Sequence, residues 1–233
     1  MPFTSPKTKS IFVARRDELK QFTNALNKPQ VQLFGCKAPP GYGKTVLLAK
    51  FKDVAQDKGV ECSGIIDFHN VETHERSSLL RLLQTRIDPK GRRFQNFLPA
   101  FQAYTDLVQQ SRSGTRGSEE IEASVLKQAL ENELEQFFTD FNKLANSKSV
   151  VLLFDTFEEV AGLEVGRWLL AQFVGRVEKT VVVVAGRPQP TETDSKGREI
   201  SPGVNWVEKV QKISNARVFK LDRFKREDTI MDP

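Results

Sequence analysis

The stretch "VQLFGCKAPPGYGKTVLL", from Val31 to Leu48, decides the fold of this chain. It begins with the apolar run Val31–Cys36, which is typical of a strand buried in a sheet. A loop rich in glycine and proline follows, and the sequence after Lys44 carries apolar residues at helical spacing. A strand, a tight loop and a helix in this order predict the first unit of an α/β sheet.

The loop matches the phosphate-binding pattern G-x-x-x-x-G-K-[ST] except at its first position, where Ala38 replaces glycine. This residue lies where the chain leaves the strand, so it matters least to phosphate binding. The alanine methyl is also the smallest side chain that could replace the glycine hydrogen. Lys44 is expected to reach the β- and γ-phosphates, and the Thr45 hydroxyl to bind Mg²⁺. A chance turn containing GKT is the competing interpretation, which the flanking strand and helix disfavour. The residues expected to contact a nucleotide here are Ala38, Pro39, Pro40, Gly41, Tyr42, Gly43, Lys44, Thr45 and Val46.

Further apolar runs alternate with helical stretches, and this alternation predicts an α/β fold class. Two of the runs are continuous and rich in valine, as in strands that are covered on both faces of a parallel sheet. The predicted strands after the first are Cys62–Phe68, Ser149–Asp155, Thr180–Gly186 and Arg217–Leu221. The polar connection at 187–203 is expected to be an exposed loop.

The long segment between the second and third strands is expected to be helical. Ser77 or Ser78 would cap a first helix, which Pro89 prevents from continuing. The apolar face of that helix consists of Leu79, Leu80, Leu83 and Ile87. Ser118 would cap a later helix after a Gly/Ser/Arg linker at 111–118. The apolar stripe along one face of this later helix consists of Leu126, Leu130, Leu134, Phe137, Phe141 and Leu144.

Four aromatic residues lie between these two helices at spacings of three, four and three: Phe94, Phe97, Phe101 and Tyr104. Beside Arg92 and Arg93 they could form a stacking surface for single-stranded nucleic acid. They could equally form the aromatic face of a helix packed on the core, and their helical period favours this second interpretation.

Charged residues follow the third and fourth strands, at the edge where α/β sheets place their ligands. Asp155 is expected to hold Mg²⁺ together with Thr45, unless it only forms a turn. Glu158 or Glu159 would orient or deprotonate a water molecule, and either could instead be a surface acid at a helix start. Arg187 would contact the γ-phosphate and distinguish a triphosphate from a diphosphate, with an ordinary salt bridge as the alternative.

Composition and charge limit the remaining possibilities. Of the 233 residues, 39% are hydrophobic and 28% charged, as in a soluble globular protein. No stretch approaches the roughly 20 apolar residues of a membrane span, and the first residues lack the apolar core of a signal peptide, so a cytoplasmic location is expected. The net charge of +5 suits an anionic partner, either a nucleotide or a nucleic acid. Cys36 and Cys62 are expected to be reduced thiols, and with His69 and His74 their spacing matches no zinc pattern.

Together, "IFVARRDELKQF" (Ile11–Phe22), "APPGYGKT", "LLFDTFEE" and "VVAGR" resemble the P-loop ATPase domains of the AAA+ and STAND superfamilies, particularly origin-recognition-like AAA ATPase domains. The resemblance covers residues 11–224 and implies a three-layer α-β-α sandwich of the ASCE type, with five parallel strands in the order 5-1-4-3-2. It also implies ATP with Mg²⁺, and adenine contacts from Phe12, Val13 and Ala14. Ala14 stands where the family has a glycine, and Thr156 stands where many relatives have an acid.

The expected function is that of an ATP-binding module that hydrolyses ATP slowly with Mg²⁺ and acts as a molecular switch. The alternative is a nucleotide-gated protein- or DNA-binding module with little hydrolysis, which Thr156 and the lack of a helical lid after "KLDRF" favour. A protein partner or self-association is expected. DNA is allowed by the charge but by no binding motif, no membrane contact is expected, and a P-loop kinase is the least favoured class. Residues 1–10 are expected to be a flexible N-terminus, and residues 225–233 the truncated start of a lid.

Overall fold

The structure is a computed structural model that describes residues 15–28, 30–113, 123–188, 192–193, 199–201 and 205–223. Several expectations fall on residues outside these ranges. They are the adenine contacts of Phe12, Val13 and Ala14, the cap at Ser118, the flexible segment 1–10 and the tail 225–233.

Five parallel strands form the central sheet. They are β1 (Gln32–Lys37), β2 (Glu61–Asp67), β3 (Val150–Asp155), β4 (Thr180–Gly186) and β7 (Ala216–Lys220). They lie side by side in the order β2-β3-β4-β1-β7. Counted along the chain as strands one to five, this is the order 5-1-4-3-2, and the prediction of an α/β fold with this sheet is confirmed. Cys36 in β1 and Cys62 in β2 are free thiols on strands that are not neighbours.

Two more strands lie outside the central sheet. The short strands β5 (Glu192–Thr193) and β6 (Glu199–Ser201) pair antiparallel. They fall within the connection at 187–203, so the prediction of an exposed loop there missed these two strands. Strands of two and three residues are too short to produce a readable alternation of polar and apolar residues.

The helices differ widely in length. They are α1 (Arg16–Ala25), α2 (Lys44–Asp57), α3 (Arg76–Ile87), α4 (Phe97–Ser113), α5 (Ala123–Ser147), α6 (Glu164–Trp168), α7 (Val174–Arg176) and α8 (Trp206–Gln211). A π-helical turn (Leu169–Phe173) joins α6 to α7, and 3₁₀ turns span Val71–His74 and Phe157–Glu159. Among the described residues, no helix is both long and apolar enough to cross a membrane.

Helices pack on both faces of the sheet because successive residues of a strand point to opposite faces. On one face, Val151 and Leu153 of β3 belong to a core shared with α1 and α2. On the other face, Leu152 and Phe154 belong to a core shared with α3, α5 and α8. Every residue of β3 and β4 is buried, as their valine-rich sequence predicts. The result is a three-layer α-β-α sandwich.

The start of α3 differs from its prediction. The helix begins at Arg76 with Glu75 as the N-cap residue, so the prediction that Ser77 or Ser78 caps it is wrong. The Ser77 hydroxyl instead donates a hydrogen bond of 2.7 Å to the Glu133 carboxylate of α5. The Ser77 hydroxyl is therefore bound to a residue of another helix and not to the backbone at the start of its own helix. The predicted apolar face of the helix is confirmed, since Leu79, Leu80, Leu83 and Ile87 are all buried.

The aromatic residues before and within α4 belong to the core. Phe94 and Phe97 are completely buried, and Phe101 is half-buried against the same core. The Phe97 ring meets Phe137 of α5 edge to face, with 5.2 Å between the ring centroids. The rings of Phe94 and Phe97 cannot stack on nucleotide bases in this fold, so the core interpretation is confirmed for these two, whereas Tyr104 is only half-buried. The stripe of α5 is buried in its second half, at Leu134, Phe137, Phe141 and Leu144.

Candidate functional site

The loop between β1 and α2 curls at two glycines. Gly41 and Gly43 have φ angles of 78° and 82°, in the left-handed region that costs other residues roughly 1–2 kcal/mol. No described atom lies within 4 Å of a Cβ built on Gly41, so the glycine is needed for its backbone conformation and not for space. Among the described residues no side chain caps α2, whose N-cap residue is Gly43. The first N–H groups of α2 therefore remain available to an anion.

Ala38, at the position of the missing glycine, is accommodated without strain. It is buried in the core formed with α1 and α2, and its N–H donates to the Gly186 carbonyl at 3.3 Å. The methyl group thus continues the apolar face of β1 into the loop. Pro39 and Pro40, which follow, are exposed.

The Lys44 ammonium lies across the loop. Its Nζ donates to the carbonyl oxygens of Ala38 at 2.8 Å and Pro39 at 3.1 Å. Burial lowers the pKa of Lys44, and the nearby carboxylates of Glu158 and Asp155 oppose that shift. A cation held by neutral carbonyls in a partly desolvated loop is well suited to an anionic ligand, which would strengthen its charged form.

Thr45 and Asp155 meet at the edge of the sheet. The Thr45 hydroxyl donates to Oδ2 of Asp155 at 2.6 Å, and the backbone N–H of Thr156 donates to Oδ1 at 2.9 Å. The Asp155 side chain is therefore held at both oxygens and is almost fully buried. A hydroxyl and a carboxylate are oxygen ligands of the kind that Mg²⁺ prefers. Within the described residues there is no cluster of three or more His, Cys, Asp or Glu residues that could hold a metal without other ligands.

Thr156 has an unusual backbone for a β-branched residue. Its φ of 57° and ψ of 39° lie in the left-handed region. Such a conformation costs free energy and persists only where the surroundings hold it. Here it turns the Thr156 N–H toward the Asp155 carboxylate and starts the 3₁₀ turn that carries Glu158.

The sequence left open whether Glu158 or Glu159 acts on water. The structure places the two side chains in different surroundings. Glu158 is 8% exposed and faces the end of β4, whereas Glu159 is exposed. Oε2 of Glu158 accepts a hydrogen bond of 2.9 Å from the Arg187 backbone N–H, and Oε1 lies 3.3 Å from Arg187 Nε. A Cβ on Gly186 would come within 2.7 Å of the Glu158 carboxylate, so a larger residue there would push the carboxylate out of its present position.

Two residues near the site received no role in the sequence reasoning. The Trp206 indole N–H donates to the Arg187 carbonyl at 2.9 Å. The Arg15 guanidinium donates to the Tyr42 carbonyl of the loop at 3.3 Å and also to the Asp222 carbonyl after β7. No local pattern marks either contact. The one available signal was that Arg15 lies within the stretch "IFVARRDELKQF".

The geometry brings together most of the residues singled out in the sequence. Loop residues 38–46 follow β1, Asp155 ends β3, Glu158 follows β3 and Arg187 follows β4, all at the carboxyl edge. Free N–H groups at a helix start, a lysine, and a hydroxyl–carboxylate pair are the donor set that a magnesium–triphosphate requires. The residues present therefore fit ATP with Mg²⁺.

Comparison with known proteins adds no identification. No protein-family model matches this chain, and no curated protein matches it.

Proposed function

We propose that this chain is a P-loop module that binds ATP with Mg²⁺, hydrolyses it slowly and acts as a nucleotide-dependent switch of the AAA+/STAND type. The single observation that carries the proposal is the hydrogen bond of 2.6 Å between Thr45 and Asp155. It joins the start of α2 to the end of β3, which are the two segments that must supply oxygen ligands to one Mg²⁺.

Each residue of the site then has a separate role. The backbone N–H groups around Gly41 and Gly43 bind phosphate oxygens, and Lys44 leaves the loop carbonyls to bind the β- and γ-phosphates. Thr45 and Asp155 would hold Mg²⁺, which would supply charge neutralisation for the phosphates. Arg187 binds the γ-phosphate oxygens, and Glu158 accepts the proton of the attacking water.

Binding is tested by calorimetric titration with ATP, in the presence and absence of Mg²⁺. Lys44→Ala should abolish detectable binding because it removes the loop cation. Lys58→Ala, which removes an exposed lysine just beyond the opposite end of α2, should bind as tightly as the wild type. Equal affinities in these two variants would contradict the proposal, as would a wild type that binds no ATP.

The alternative is a nucleotide-gated module with little hydrolysis, and it also has a supporting observation. Both oxygens of Glu158 are engaged by Arg187, so the carboxylate is not free to accept a proton from water in this state. Thermal stabilisation by ATP without release of phosphate would favour the alternative. Phosphate release that depends on Glu158 would favour hydrolysis.

A further inference from the structure

Trp206 lies at the point where three segments of the site meet. It begins α8 and is completely buried. Its indole N–H donates to the carbonyl of Arg187 at 2.9 Å. Its ring meets the ring of Phe157, the residue before Glu158, edge to face, with 5.5 Å between the ring centroids. One side chain thus contacts both the segment that carries the arginine and the turn that carries the glutamate.

The glycine at the end of β4 lets the indole lie this close to the sheet. A Cβ on Gly186 would meet a Trp206 ring atom at 3.2 Å, whereas a Cβ on Gly35 would meet another at 3.4 Å, an ordinary contact distance. Gly35 belongs to β1, which leads into the phosphate-binding loop, and Gly186 ends β4. The indole therefore lies beside β1, which leads into the loop, and beside the end of β4, which leads to the arginine.

Arg187 holds Glu158 through two different groups. Its backbone N–H donates to Oε2, and Nε of its guanidinium lies beside Oε1. The backbone group is fixed, because Trp206 binds the carbonyl of the same residue. The Arg187 side chain is 59% exposed, so it can turn without opening the core.

We propose that Trp206 is a positioning residue, which fixes the backbone of Arg187 so that only the guanidinium turns between Glu158 and the γ-phosphate of ATP. This inference rests on the proposed function. ADP lacks the γ-phosphate and leaves the guanidinium on Glu158. ATP draws it away from Oε1 of Glu158, while the backbone N–H of Arg187 stays on Oε2. Trp206 is thereby part of the discrimination between ATP and ADP.

The first test compares the affinities for ATP and ADP by calorimetry. The arginine contact to the γ-phosphate should contribute about tenfold to the preference for ATP over ADP, and Arg187→Gln should remove that contribution. Trp206→Phe keeps a ring in the core but loses the N–H donor. It should lower the preference several-fold while the affinity for ADP stays unchanged. Trp168→Phe, the same change at the other tryptophan, should keep the full preference.

The second test leaves Trp206 in place and uses it as a reporter. Trp168 and Trp206 are the only tryptophans, so Trp168→Phe makes Trp206 the sole source of indole emission. ATP with Mg²⁺ draws the charged guanidinium away from the turn that packs on the indole and should change that emission. ADP with Mg²⁺ leaves the guanidinium in place and should not, and adding Arg187→Gln should remove the response to ATP. Binding of both nucleotides with identical emission would overturn the inference alone. So would a Trp206→Phe variant that is less stable but keeps its full preference for ATP. Absence of any nucleotide binding would overturn the proposed function itself.

Discussion

The Thr45 hydroxyl donates a hydrogen bond of 2.6 Å to Asp155, although 110 positions separate the two residues in the chain. The contact exists because β1 and β3 are both parallel strands flanking β4, so their carboxyl ends reach the same edge of the sheet. An oxygen donor from a helix start and a carboxylate from a strand end thus come within one coordination sphere of each other.

We expect Thr45→Val to lose the Mg²⁺-dependent part of ATP affinity, because valine keeps the shape of threonine but offers no oxygen ligand. The loss should be about tenfold or more, as for other disturbed metal sites. Thr45→Ser keeps the hydroxyl and should retain the effect of Mg²⁺. Titration with ATP at zero and millimolar Mg²⁺ measures both variants, and equal behaviour of the two would contradict the role of the hydroxyl.

Glu158→Gln should reduce phosphate release from ATP by about 100-fold or more, since a glutamine cannot accept the proton of water. Glu159→Gln changes the neighbouring, exposed carboxylate and should leave the rate unaltered. Steady-state release of inorganic phosphate compares the two directly. If both variants match the wild type, hydrolysis does not depend on this turn.

Thr156→Asn should stabilise the protein by about 1 kcal/mol, which corresponds to a rise of roughly 2–4 °C in Tm for a chain of this size. Asparagine tolerates the left-handed region better than a β-branched residue does, and the backbone bond to Asp155 is kept. Thr139→Asn, on the exposed surface of α5, should change Tm little. A drop in Tm for Thr156→Asn would show that the threonine side chain itself is needed.

Stability should fall as the pH rises from about 4.5 to above 7, because of Glu133. This side chain is completely buried, and among the described residues its Oε2 has no hydrogen-bond partner. Burial raises the pKa of Glu133 from 4.5 to about 7, so the folded state binds more protons than the unfolded state across this interval. At about 1.4 kcal/mol per unit, the loss is on the order of 3 kcal/mol.

The free energy of unfolding, measured by chemical denaturation at pH 5 and pH 8, tests the predicted effect of Glu133. Glu133→Gln stays uncharged, still accepts the Ser77 hydroxyl, and should show a pH-dependent loss smaller by that amount. Glu131→Gln, an exposed acid on the same helix, should behave as the wild type does. A wild-type stability that is equal at the two pH values would rule out the buried acid as a source of pH dependence.

The two cysteines should differ in reactivity. Burial raises the pKa of both thiols, but Cys36 is completely buried in β1, whereas Cys62 is half-buried in β2. Because the thiolate is the reactive form and needs access, a thiol reagent at pH 8 should modify Cys62 first and Cys36 only on unfolding. Mass spectrometry of the labelled peptides distinguishes them, and the reverse order would contradict the burial of β1.

Much of the fold could be predicted because strands of a buried parallel sheet have a local signature. Every predicted strand of the central sheet lies within one residue of an observed one. Asp155 ends its strand and Arg187 follows its strand, as expected. The strand order came from the resemblance to a known class, since periodicity does not contain it. Local rules failed where a tertiary contact competed, as at Ser77, whose hydroxyl binds Glu133 and does not cap its own helix.

The sequence by itself determined the five strands of the central sheet, the apolar face of α3 and the polar residues at the strand ends, because these features depend on spacing within one segment. Only the tertiary structure decided that Glu158 and not Glu159 faces Arg187, that Trp206 binds the same arginine, and that Ser77 and Glu133 pair. Such contacts join side chains from distant segments, and they depend on how the layers pack together. No spacing within a single segment encodes them.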